Sequence, residues 1–247
     1  MTGNNFYDDD IFFEGYKQIR ENENNYNDLL EQPAMHDFLP VLTKKTVLDL
    51  GCGYGRNCLE FVKLGAKSVL GIDISFKMLD IAIKESFDEQ ITYRQLDMMD
   101  IDIINQKFDF VYSSLAFHYI EDFNKLITNI AGLLKTNGVL LFSQEHPIVT
   151  ATVDGQFRWN KNENGEEVSF TFSNYNQPGI RKSHWFIDDV ITYHRTMGSI
   201  VTTLANKGFL IEVLYETAPK EFAIEKYPQI KKELLKPNFL IIRARKI

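Results

Sequence analysis

Asp49, Gly51, Gly53 and Gly55 form an acid followed by three glycines spaced by single residues, the densest chemical signal in this 247-residue chain. Glycines so spaced let the backbone take positive φ and let a ligand approach where a Cβ would block it. Two more acids follow, Asp73 closing an apolar run and Asp97 closing a run that reads as a strand. A carboxylate at the end of a second strand can accept hydrogen bonds from ribose hydroxyls. A dinucleotide fingerprint would read G-x-G-x-x-G and set a helix N-terminus against a pyrophosphate. Here Arg56 stands where the third glycine would fall, and Asp49 would repel a pyrophosphate but suits a ligand with a cationic amine. His118, His146, His184 and His194 are groups able to take a proton near neutral pH, and Glu145 could orient one of them. The histidines form no recognisable zinc motif, and Cys52 and Cys58 match neither a zinc pair nor a disulfide framework, so no metal is expected.

These residues need strands and helices to converge. Val47, Leu48 and Leu50 read as a buried parallel strand, and helical periodicity resumes after the glycines at Leu59, Phe61, Val62 and Leu64. Residues 68–73 form a second apolar run ending at Asp73, and Ser75 suits the N-cap of a following helix. Residues 91–97 read as a third strand and residues 108–115 as a fourth with its exit. Residues 122–134 read as a helix ended by Asn137-Gly138, with a fifth strand over 139–142. In an open α/β sheet, ligands sit at the carboxyl ends of strands, so Ser113, Ser114, Leu115 and the Glu145-His146 pair should face the site. His118 and His146 are the favoured catalytic histidines because both follow strand ends.

The string D-x-G-x-G-x-G followed by an acid ending the next strand resembles the class I S-adenosylmethionine (SAM) dependent methyltransferases, from residue 46 to 144 and beyond. The resemblance implies a Rossmann-like, seven-stranded, mostly parallel sheet with helices on both faces and an antiparallel C-terminal hairpin. It implies SAM as cofactor, leaving as S-adenosylhomocysteine (SAH). Asp49, Gly51, Cys52, Gly53, Gly55, Asn57, Asp73 and Ser113 would then surround it. Ile74 and Met78 would flank adenine, while Asp97 accepts from its amino group and the Met98 N–H reaches a ring nitrogen; Asp97 as a plain helix cap is the alternative. The helical N-terminal segment would close over the cofactor with Tyr16, Arg20 and Tyr26, Arg20 pairing with the SAM carboxylate. A nucleotide-dependent oxidoreductase on the same topology and a non-catalytic SAM-fold subunit are the competing readings.

Residues 1–247 read as one domain: a helical lid over 1–45, a SAM-binding core over 46–147, a β-rich insertion over 148–188, and a helix with strands over 189–247. The insertion carries strands at 156–159 and 168–172 about an Asn164-Gly165 turn, and the aromatics Phe157, Trp159, Phe170, Phe172, Tyr175 and Trp185. Such a segment suggests a substrate wall, a dimer contact or a satellite core. Residues 187–204 read as one helix. Tyr16, Tyr26, His118, Glu145, His146, Trp159 and Trp185 are the candidate substrate contacts. A net charge of -7, with neither a Pro-Pro-aromatic nor a Pro-Cys motif at the fourth strand, disfavours nucleic acid and favours a small, partly apolar acceptor. With no apolar leader and no run long enough to span a bilayer, the expected location is the cytoplasm.

Overall fold

A computed structural model describes residues 5–22, 24–154 and 158–247 of the chain. Helices α1 (Asp10–Glu21) and α2 (Gln32–Asp37) lead into the alternating series β1 (Thr46–Leu50), α3 (Arg56–Lys63), β2 (Ser68–Asp73), α4 (Phe76–Glu85), β3 (Ile91–Gln95), β4 (Phe108–Ser113), α5 (Phe123–Leu133) and β5 (Leu134–Glu145). The short α6 (Pro147–Thr150) precedes two hairpins, β6 (Arg158–Lys161) with β7 (Glu167–Thr171) and β8 (Gly179–Trp185) with β9 (Ile187–His194). Helix α7 (Met197–Asn206), β10 (Phe209–Glu216), α8 (Glu221–Lys226) and β11 (Phe239–Lys246) complete the chain.

The central sheet has seven strands in the order β10-β11-β5-β4-β1-β2-β3. The five strands from β5 to β3 run parallel, and β11 lies antiparallel between β5 and β10. Val47, Leu48 and Leu50 of β1 are all fully buried, which is why that strand reads as continuous apolar sequence rather than as an alternation. The order reverses between β1 and β4, and this switch point opens a crevice beyond the carboxyl ends. Antiparallel β11 starts at that same end, with Phe239 opposite Glu145. Helix starts follow side-chain caps: Asp9 accepts from Ile11 and Phe12, Ser75 from Met78, and Asp122 from Lys125. Among the described residues no helix is long and apolar enough to cross a membrane.

Three expectations change. Residues 187–204 are not one helix: β9 occupies Ile187–His194 and α7 begins at Met197. Val190, Thr192 and His194 are buried while their neighbours are less so, a period of two that β-branched and aromatic residues favour. The β-rich segment after β5 therefore extends through His194. Helix α5 ends at Leu133 and the chain enters β5 at once; Asn137, with φ of 61°, sits within the strand at a register shift. The first insertion strand begins at Arg158 within the described residues, whereas Gln156 and Phe157 lie outside them.

Candidate active site

Beyond β1 the backbone turns through Gly51, Gly53 and Gly55 into α3. Gly55, with φ of 74°, is the residue before the helix, and a Cβ there would overlap the Tyr93 hydroxyl. Gly53 differs. Its φ is 52°, and a Cβ built on it meets no atom within 4 Å. It faces a cavity of about 1650 Å³, bordered on this side by Gly51, Cys52, Asn57 and Asp73, with Ile74, Met78, Asp97 and Met98 beyond.

Asp73 ends β2 with each carboxylate oxygen held: the Gly53 N–H donates to Oδ2 and the Ser75 N–H to Oδ1, both at 2.9 Å. Burial nevertheless pushes its pKa up to about 6. Asp97 caps the 3-10 turn Met98–Ile103 by accepting from the Met99 N–H at 2.9 Å. The cap reading is correct, and the residue still borders the cavity. Arg20, on α1, also borders it. Its Nη1 is buried without a hydrogen-bond partner among the described residues, and lies 3.8 Å from Asp28. A guanidinium on the cavity wall fits a ligand carboxylate.

Much of the wall of the same cavity is aromatic. Tyr16, Tyr26, Trp159 and Trp185 line it, together with His118 and Glu145. α1 and the β8–β9 hairpin meet there. Phe12 packs edge-on to Trp185 and Phe186, at 5.2 and 5.6 Å between ring centroids, and Tyr7 to Tyr16 at 5.3 Å. The Tyr26 hydroxyl donates to Glu233 at 2.9 Å, and Trp159 packs against Phe170 at 5.2 Å under the ammonium groups of Lys232 and Lys236. Glu145, half-buried at the end of β5, has its pKa pushed up to about 7 by burial, against the pull of Lys236. Burial and the charge of Arg195 hold His118 down at about 3.

Comparison with known proteins agrees with this geometry. A family model described as a methyltransferase domain matches residues 48–142. An uncharacterized protein of Haemophilus influenzae is 37% identical over 98% of this chain and 96% of its own. The crystal structure of an S-adenosylmethionine dependent methyltransferase from Mesorhizobium loti superposes with a TM-score of 0.82 at 36% identity, covering 87% of this chain and 97% of that one. The chain belongs to the class I SAM-dependent methyltransferases. A ubiquinone biosynthesis O-methyltransferase of Coxiella burnetii is 33% identical over only 42% of this methyltransferase and 44% of its own length. SAM is therefore the cofactor, and the residues around the glycine turn suit it: space at Gly53, an acid at Asp73 and the guanidinium of Arg20 on the cavity wall.

Four residues of the methyltransferase stand elsewhere than the sequence suggests. Asp49 is buried beneath the loop, away from the cavity lining, where the Cys58 thiol lies 3.3 Å from its Oδ2. Ser113 is fully buried and donates to the Leu50 carbonyl at 2.8 Å; the next residue, Ser114, takes the wall position. Gly55 is a packing glycine, as above. His146 caps α6, its Nδ1 accepting from the Ile148 N–H at 3.1 Å, and its Nε2 pairs with Glu216 at 2.8 Å. With both ring nitrogens engaged and no place in the cavity wall, it cannot serve an acceptor. Sequence reasoning missed Glu233, Lys236 and Asn238, which line the same cavity. The signal was the antiparallel last strand, whose N-terminal approach must come from the ligand side of the sheet.

Proposed function

We propose that this methyltransferase transfers the SAM methyl group to a small, partly apolar acceptor held against Tyr26, Trp159 and Trp185. One observation carries the reading: a single cavity of about 1650 Å³ runs from the glycine turn to the aromatic hairpins, leaving room for a second molecule beside the cofactor. SAM when bound supplies a methyl on a sulfonium whose departure as a neutral thioether needs no further activation. The protein's own work is alignment and exclusion of water. Asp73 would hold the ribose hydroxyls, Asp97 and the Met98 N–H the adenine edge, and Arg20 the amino-acid carboxylate. Asp49 acts beneath the loop as a buried acid rather than as a direct contact. α1 and the tip of the β8–β9 hairpin pack together beside the cavity.

A net charge of -7 counts against a phosphate-backbone acceptor. The partial similarity to an enzyme of ubiquinone biosynthesis leaves more than half of this chain unmatched and does not name the acceptor. The test is incubation with methyl-labelled SAM and a fractionated cell extract. Label in a small organic product supports the reading. Label confined to nucleic acid, or salt-sensitive high-affinity binding of RNA or DNA, would overturn the acceptor class.

A further inference from the structure

Most acids around the cavity are held by donors. Asp73 accepts from Gly53 and Ser75, and Asp97 accepts from Met99. Glu31 accepts from the hydroxyls of Ser114 and Ser143 and from the Gln32 amide. Glu233 accepts from Tyr26, Lys236 and Asn238. Glu145 departs from this pattern: it lines the cavity, yet its carboxylate makes no hydrogen bond or ion pair with a described residue.

Its position is nonetheless fixed. Glu145 is the last residue of β5, paired across to Phe239 on β11, and its main-chain N–H donates to His118 Nδ1 at 3.4 Å. That bond leaves the His118 proton on Nε2, so the imidazole stays neutral and has no free lone pair for the acceptor. His146 is engaged on both nitrogens. The sequence suggested a histidine base oriented by Glu145, but neither His118 nor His146 keeps a free acceptor nitrogen.

We propose that Glu145 is the general base of the transfer, and that the acceptor presents to it a hydroxyl on a conjugated ring. This rests on the methyl-transfer reading above. A carboxylate poised near 7 can take a proton from a phenol-type hydroxyl, whose ordinary pKa is about 10, whereas an unactivated alcohol lies far out of range. The aromatic walls at Tyr26, Trp159 and Trp185 match a planar ring. Glu145 takes the hydroxyl proton as the acceptor oxygen forms its bond to the methyl carbon. The sulfur–methyl bond breaks with its electron pair staying on sulfur, giving a methyl ether, SAH and one proton that Glu145 passes to water. The groups facing Glu145 are Lys236, Tyr119 and neutral His118; Lys236 is itself paired with Glu233 at 2.9 Å and acts through space. Because the base must be ionised, kcat rises with pH through about 7 and then levels.

Two measurements decide it. Glutamate-labelled carbon NMR of the wild type, with the Glu145→Gln spectrum subtracted, titrates the group with no acceptor present. An apparent pKa near 7 is expected, and one below about 5 would overturn the proposal. With ring-hydroxyl acceptors of graded acidity, Glu145→Gln should lower kcat roughly 10²–10⁴-fold and abolish the rising limb, with SAM affinity unchanged. The loss should shrink for acceptors already ionised in solution, a dependence that a merely structural role would not produce. Transfer by Glu145→Gln with an unaltered pH limb sinks the base and leaves the methyltransferase reading standing. If the wild type methylates no small molecule in any extract fraction, that reading fails instead, and the proposal fails with it.

Discussion

Asp49 sits 1% exposed with a thiol as its near partner, and burial pushes its pKa up to about 7. Its folded pKa thus exceeds the unfolded value of about 4, so folding takes up a proton between those limits. The contribution is fully present below about 4, falls as pH rises between those limits, and is lost above about 7. Asp49→Asn should therefore be more stable than the wild type at pH 8, by on the order of a few kcal/mol, and indistinguishable below pH 4. Denaturant melts at both pH values check this. Asp73→Ala should lose about 2–3 kcal/mol of SAM affinity by calorimetry on folded protein. Wild-type affinity should also fall as pH drops below about 6, where the carboxylate protonates. Unchanged SAM affinity in the variant would remove Asp73 from the ribose site. At this scale the places of Gly51, Gly53 and Asp73 on the cavity wall were legible, because the glycines dictate the backbone path there, whereas the burial of Asp49 and Ser113 was not. Nor was the place of His146, since its partner Glu216 is fixed only by the distant β10 strand.

Two elements far apart in sequence, α1 and the β8–β9 hairpin, pack together beside the cavity. A Cβ on Gly15 would overlap the ring of Phe186 at the hairpin tip, so the two elements meet in contact too close for any side chain. Gly15→Val should loosen this joint by about 1–3 kcal/mol. Hydrogen exchange should quicken over α1 and residues 183–190 while β1, β4 and β5 keep their protection. Uniform loss of protection across the sheet would mean the contact supports the whole fold. Strands β1, β2 and β4 were readable from their apolar runs, and helices α4 and α5 from their capping residues Ser75 and Asp122. β9 was misread because Ile187 to His194 has no glycine or proline to mark its end before α7. Its alternation becomes evident only once β8 pairs with it.

In the whole molecule, one cavity is walled by the glycine turn and strand ends of the first half of the chain and by the N-terminal helix, the hairpins and the approach to β11. A net charge of -7 spread over this surface predicts no retention of duplex RNA or DNA at physiological salt in a filter assay. The chamber's composition was foreseen in Trp159 and Trp185 but not in Lys236, because nothing local to 233–238 says which end of the sheet it approaches. The most direct measurement is a crystal structure with SAH. It should show ribose on Asp73, adenine beside Asp97 and Met98, the amino-acid carboxylate on Arg20, and the sulfur facing an open chamber between Glu145 and Trp159. Cofactor filling that chamber, or sulfur turned away from Glu145, would contradict the account.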